Sequence, residues 1–218
     1  MKVELPGYGA QFDAPISDQV DVIHAFTNSP GYVKVAASPS GLRLLPVPHD
    51  DEEGWARRRD ISPFYFKSLA KDGPNLPPQG LQTATSPYPI LVAMADRPEE
   101  DAYNMTKAMV VLHEAYKDSA PGMSGWAMER QRLAETLVPF HAGAVRYFKE
   151  IGVWTPEAQA AQERNQRRQQ ILQKEWEAYV AKAPDDTAAF RQGWMKARAA
   201  ALEAAGMPVI QDDWDLGS

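Results

Sequence analysis

The chain has 218 residues, with 23 lysines and arginines against 29 aspartates and glutamates, and no cysteine. The net charge of −6 argues against a nucleic-acid binder, whose footprint is a basic surface. Absent cysteine excludes disulfides and thiolate metal sites but leaves the compartment open. The length suits one sizeable domain or two small ones, at roughly 100–200 residues per domain. No apolar run approaches the roughly 20 residues that a membrane span needs. The N-terminal residues Met1-Lys2-Val3-Glu4-Leu5-Pro6-Gly7 lack the apolar core of a secretory signal.

Residues 2–5 read as a short strand, followed by a Pro-Gly-Tyr-Gly turn. Residues 10–19 are weakly helical, and the apolar run 20–26 reads as a buried strand. Thr27-Asn28-Ser29-Pro30 ends that strand and opens a helix to about Ala37, with Ser29 as cap and Pro30 in the first turn. A short strand at 42–47 and a charged helix at 52–59 follow. From Ser62 to Pro87 the prolines and glycines give loop and edge-strand composition, within which 64–66 and 81–85 are placed to pair.

Tyr88-Pro89-Ile90-Leu91-Val92-Ala93-Met94-Ala95 is an apolar strand. A helix starts at Pro98-Glu99-Glu100, because proline fits the first turn and acids complement the dipole. Ala102, Met105, Met109, Leu112 and Tyr116 recur at steps of three and four and form one apolar face. Phe140-His141-Ala142-Gly143-Ala144-Val145 opens a further helix, which His141 caps or braces against its neighbour. Thr155-Pro156-Glu157 starts a long helix reaching Ala183, and Asp185 or Asp186 caps another reaching Ala205, closed by Gly206. Ile171, Leu172, Trp176, Tyr179, Val180 and Ala183 share one face; Phe190, Trp194, Ala197 and Ala201 share the other, which gives a helical hairpin.

Catalytic spacing is absent. His113-Glu114 has Lys117 where a zinc hydrolase needs its second histidine, and Gly122-Met123-Ser124-Gly125 is out of register for a nucleophile elbow. The acids Glu99-Glu100 and 50–53 read as solvated helix starts. Arg164 to Arg168, flanked by Glu157, Glu163, Glu175 and Glu177, reads as a solvated helix surface. The ligand-binding candidates are Phe26, Thr27, Asn28 and Ser29, at a strand end that meets a helix start, where free N–H groups favour an anion. Thr83 and Thr85 add hydroxyls beside the strand that follows.

The segments "LVAMADRPEEDAYNMTKAM" and "PFHAGAVRYFKEIG" together resemble the closing part of the TAXI-family solute receptors, the periplasmic binding subunits of TRAP transporters. Two weaker matches accompany them: "SDQVDVIHAF" stands at a Gly-x-Ile-Asp-Ala-like strand, with Gln19 where the family has glycine, and "SPSGLRLLPV" at an Arg-Leu-Leu-Pro-Leu-like strand. The resemblance covers about residues 5–152. It implies an α/β, partial periplasmic-binding-protein type II-like (Venus flytrap) fold with a C-terminal helical hairpin extension. Residues 1–80 then form a second-lobe α/β portion, 81–152 a crossover strand with first-lobe helices, and 153–218 the extension. It further implies a periplasmic, non-catalytic component that binds a small carboxylate or amino-acid-like solute, with TRAP membrane subunits as partners and without nucleic acid, metal or cofactor. Half a receptor, whether fragment or split partner, would expose a sheet edge and an apolar helix face, which points to a homodimer or to instability. The alternatives are a helical interaction module derived from a truncated receptor, and a small α/β enzyme dependent on His24 or His141.

Overall fold

The computed structural model describes residues 3–87, 89–120 and 122–210. Eight α-helices and a two-stranded sheet are formed among them, a mixture compatible with the α/β class. The chain divides into two compact units. The first comprises Met1–Glu52, Lys67–Thr85 and Val110–Arg130, the second Glu53–Phe66, Ser86–Met109 and Gln131–Ser218.

In the first unit, α1 (Ala10–Asp13) and α2 (Pro30–Ala36) pack through Phe12, Tyr32 and Val35. Ile16, Ile23, Ala25, Leu42 and Leu44 close over that cluster. Phe12 meets both Tyr8 and Tyr32 edge-on, at 5.4 and 5.5 Å between ring centres. Gly31 lies so close to the Phe12 ring that a Cβ there would overlap it. Strands β1 (Phe66–Ala70) and β2 (Leu81–Thr85) pair. Here β2 is the predicted segment, whereas β1 begins where 64–66 was expected to end. The Val47 N–H donates to the Gln82 carbonyl at 2.8 Å, and the Asn75 amide donates to the Leu42 carbonyl at 2.9 Å.

The expected strands at 20–26 and 42–47 do not form, and neither does one over the described residues 3–5; Lys2 lies outside the described residues. Only part of the apolar content of 20–26 and 42–47 is buried, since Val22 and Leu45 are 72 and 60% exposed. Ile23, Ala25, Leu42 and Leu44 are packed as loop against α1 and α2, and the Ala25 N–H finds the Tyr32 hydroxyl at 3.1 Å instead of a ladder partner. Hydrophobic alternation demands burial of one face, and an irregular chain meets that demand when side-chain hydroxyls take the backbone donors.

The run at 88–95 departs further from expectation. Tyr88 lies outside the described residues, and 89–95 form no strand. Ile90, Leu91, Val92 and Met94 are 48, 55, 77 and 74% exposed. No other described strand pairs with this run, so its uninterrupted apolar character has nothing to bury it.

The second unit contains α3 (Glu52–Ile61) from Glu53 onward, most of α4 (Glu99–Val111), α6 (Ala142–Glu150), α7 (Pro156–Val180) and α8 (Thr187–Ala204). The apolar face predicted over Ala102, Met105, Met109, Leu112 and Tyr116 is not buried, Met105 and Leu112 being 52 and 55% exposed. It is interrupted at Leu112, after which α5 (His113–Tyr116) begins separately in the first unit. Helix ends follow local rules. Thr155 and Asp186 accept hydrogen bonds from the N–H groups of Ala158 and Ala189, at 3.2 and 2.8 Å. At the end of α8, Gly206 takes φ +67°, its N–H donating to Glu203 and that of Met207 to Leu202, the pairing of a Schellman motif.

Helix α7 is tied down at both ends. Gln162 exchanges two hydrogen bonds with the main chain of Phe140, at 2.7 and 2.8 Å, and the Asn165 amide donates to the Thr136 carbonyl at 2.8 Å. Both side chains are buried. At the other end Trp176, Tyr179, Phe190 and Trp194 form the hairpin cluster, with the Tyr179 hydroxyl donating to the Phe190 carbonyl at 2.6 Å. Val180, expected on the shared face, is instead largely exposed.

Candidate functional site

The turn before α2 is built in the first unit. The Ser29 N–H donates to the Phe26 carbonyl at 2.9 Å, and the Ser29 carbonyl accepts from the Tyr32 N–H at 3.0 Å. Ser29 occupies the N-cap position as predicted, but its hydroxyl caps nothing. It is buried and shares a 2.8 Å hydrogen bond with the Tyr8 hydroxyl. Burial pushes the Tyr32 phenol above its ordinary range, against the opposing pull of the Ala25 N–H and with a further rise from Tyr8.

Two glycines with no assigned role in the sequence reading border this turn. Gly73, at φ +138°, backs onto Thr27 so closely that a Cβ would overlap the Thr27 carbonyl oxygen. A Cβ on Gly122, at φ +86°, would lie 3.7 Å from the Asn28 amide nitrogen. The Asp72-Gly73-Pro74 and Pro121-Gly122 sequences are turn signals, and that is the only local trace of either role. Asn28 itself is exposed, and its amide has no hydrogen-bond partner among the described residues. Phe26 is more than one-third exposed and Thr27 is half-buried.

Thr83 and Thr85 lie on β2 in the same unit. The Thr83 hydroxyl donates to the Ser68 carbonyl at 3.1 Å, and its own carbonyl faces the His49 Nε2 at 3.1 Å. Its polar groups therefore brace the sheet. Thr85 is half-buried at the strand end. The arrangement leaves Asn28 as the candidate whose polar group is both accessible and unengaged. Amide donors and acceptors of that kind hold a ligand by hydrogen bonds and supply no nucleophile or acid–base pair.

In the second unit, the stretches that drew attention in the sequence pack on one another. His141 is the N-cap of α6: its Nδ1 accepts from the Gly143 N–H at 3.3 Å and its Nε2–H donates to the Arg97 carbonyl at 3.1 Å. It braces the helix against its neighbour, as expected. Gly143 lets α6 touch α4, since a Cβ there would overlap the Glu99 carbonyl. Arg146 reaches Glu100 at 2.6 Å and Glu99 at 3.0 Å while lying 4.0 Å over the Tyr103 ring. The hydrogen bond it donates to Glu100, followed by the two carboxylate charges, holds its guanidinium above the ordinary range. The paired acids begin α4 and stay exposed, as predicted, and they also pair with Arg146.

Arg167 and Arg168 also do more than face water. They donate to the Ala205 and Pro208 carbonyls, at 3.1 and 2.9 Å, and Arg198 donates to that of Ile210. Burial, then the nearby Arg198 charge, lowers the Arg168 guanidinium below its usual value. No helix among the described residues is long and apolar enough to cross a membrane.

A family model described as the NMT1-like family matches residues 2–152. Among curated proteins and solved structures, nothing matches the chain.

Proposed function

The chain belongs to the NMT1-like family, a periplasmic-binding-type family related to solute-binding proteins, and on that footing we propose that it binds a small carboxylate or amino-acid-like solute without transforming it. The family match over residues 2–152 carries this reading. The finer assignment is to the TAXI type, as a periplasmic receptor that delivers solute to TRAP membrane subunits. Residues 1–80 are then a second-lobe portion, 81–152 the return to first-lobe helices, and 153–218 an added hairpin. The mechanism is capture and closure, with Phe26, Thr27, Asn28, Ser29, Thr83 and Thr85 lining the solute. The unengaged Asn28 amide supports its place in that set. The exposed apolar run at 90–94 supports a homodimer.

A thermal-shift screen against small carboxylic acids and amino acids tests the reading. A ligand that binds only the folded state stabilises it by about 2.7 kcal/mol at a hundredfold excess over its dissociation constant. The expected outcome is a clear rise with one acid that Asn28→Ala removes. A cooperative melt unmoved by every acid would reject it.

A further inference from the structure

The end of α3 and the residue after it frame a hollow of about 260 Å³, lined by Arg57, Arg58, Ile61 and Ser62. All four belong to the second unit, whereas the 26–29 turn belongs to the first. The lining offers two guanidinium groups, one hydroxyl and one apolar side chain, and no carboxylate. In a chain of net charge −6, the run Arg57-Arg58-Arg59 is a local reversal of sign.

Cations in a last helical turn complement the dipole, and that accounts for their charge. It does not account for how they are held. The Arg58 guanidinium carbon lies 4.0 Å over the Tyr65 ring, which fixes the plane of the group. Its Nε is buried and has no hydrogen-bond partner among the described residues. An unmet donor is costly, and a small turn of this half-exposed side chain would bring it to a bound anion as the acceptor it lacks. Arg57 is held only at 3.8 Å, by Glu53, whose side chain is 93% exposed. Such a pair is worth little, so Arg57 is free to turn to a better acceptor. The Ser62 N–H donates to the Arg58 carbonyl at 2.7 Å, while its hydroxyl is unengaged among the described residues.

We propose that this hollow is a second anion site, one that takes a carboxylate attached to a short apolar chain. A guanidinium fork matches the planar carboxylate, and Ser62 adds a further donor. Ile61, 69% exposed, offers its side chain to the methylenes that follow. The hollow is open and smaller than the roughly 300–1,000 Å³ of pockets for larger ligands, so it covers a carboxylate and only the first few carbons attached to it. Glu53 and Asp60 on the same helix favour one negative charge over the two of a phosphate. The carboxylate can come from a free short-chain acid or from an acidic side chain of a partner peptide. The site stands independently of the solute reading above.

The test is a titration of the full chain labelled with nitrogen-15 arginine, read at the Arg58 Nε–H resonance, which Arg58→Lys identifies by its disappearance. The probes are acetate, butyrate and the capped peptide Ac-Ala-Glu-Ala-NH2, with chloride at matched ionic strength as control. Saturable shifts are expected, with butyrate tighter than acetate by up to about fourfold per buried methylene. Arg57→Gln, a change at a largely exposed position, should weaken butyrate at least fivefold with the melting temperature unchanged. Butyrate binding tighter than the peptide identifies a free acid, and the reverse identifies a protein side chain. Shifts that chloride reproduces, that do not saturate, or that Arg57→Gln leaves intact would overturn the site. Phosphate outcompeting butyrate would overturn the carboxylate assignment. Loss of the shift in Arg57→Gln but not in Asn28→Ala separates this site from one on the 26–29 turn.

Discussion

Two neighbouring stretches, one amphipathic and one wholly apolar, meet opposite fates. The seam between α4 and α6 is closed: Gly143 against Glu99, Tyr103 against Tyr147 at 5.6 Å, and the Tyr103 hydroxyl donating to Glu150 at 2.6 Å. The run from Ile90 to Met94, a few residues upstream, is irregular and exposed. A helix satisfies its own backbone and needs only one face covered. A strand apolar on both faces needs neighbours on two edges and layers on two sides. The first requirement is met by α6, which buries Tyr147 and Phe148, and only in part by α4, whose Met105 and Val111 stay 52 and 63% exposed; the second is unmet among the described residues.

The sharpest way to break the contrast is to strike the closed side. Gly143→Val should cost about 3 kcal/mol or more, because the added carbons meet a helix backbone that cannot yield. Urea unfolding measures it, and a loss below 1 kcal/mol would mean the seam is looser than its contacts imply. Next is Gln162→Ala, which leaves the Phe140 N–H and carbonyl unpaired and should cost about 1–3 kcal/mol in the same assay. The smallest effect belongs to the open side. Val92→Lys should change stability by about 0.5 kcal/mol or less, since the side chain is already in water. Sedimentation then sharpens the comparison: a fall in self-association would identify the run as the adhesive surface, and unchanged association would put that surface elsewhere.

The same contrast explains what was legible in the sequence. Caps and stops are written locally, so Pro30, Thr155, Asp186 and Gly206 marked helix ends that the structure reproduces. Strands at 20–26 and 42–47 depended on partners that no local pattern announces, and part of their apolar content was spent on the Phe12–Tyr32 cluster instead. Polar residues were hardest to place. Gln162 and Asn165 look like solvent-facing helix positions, yet each is buried against a carbonyl more than twenty residues away in sequence. At the candidate site, the position of the turn was readable from Ser29-Pro30. The diversion of the Ser29 hydroxyl to Tyr8 was not, because it rests on a contact between residues 21 apart.

Helix α7 spans 25 residues, about 37 Å at 1.5 Å per residue. Its first half is bolted to Thr136 and Phe140, and its last turns carry α8 through Tyr179. Arg167 and Arg168 fasten the far end of α8 back onto the same shaft. The hairpin is thus joined to Phe140, next to the cap His141, by one uninterrupted helix. The Gln162–Phe140 pair is the anchor by which the C-terminal helices are fastened within their unit.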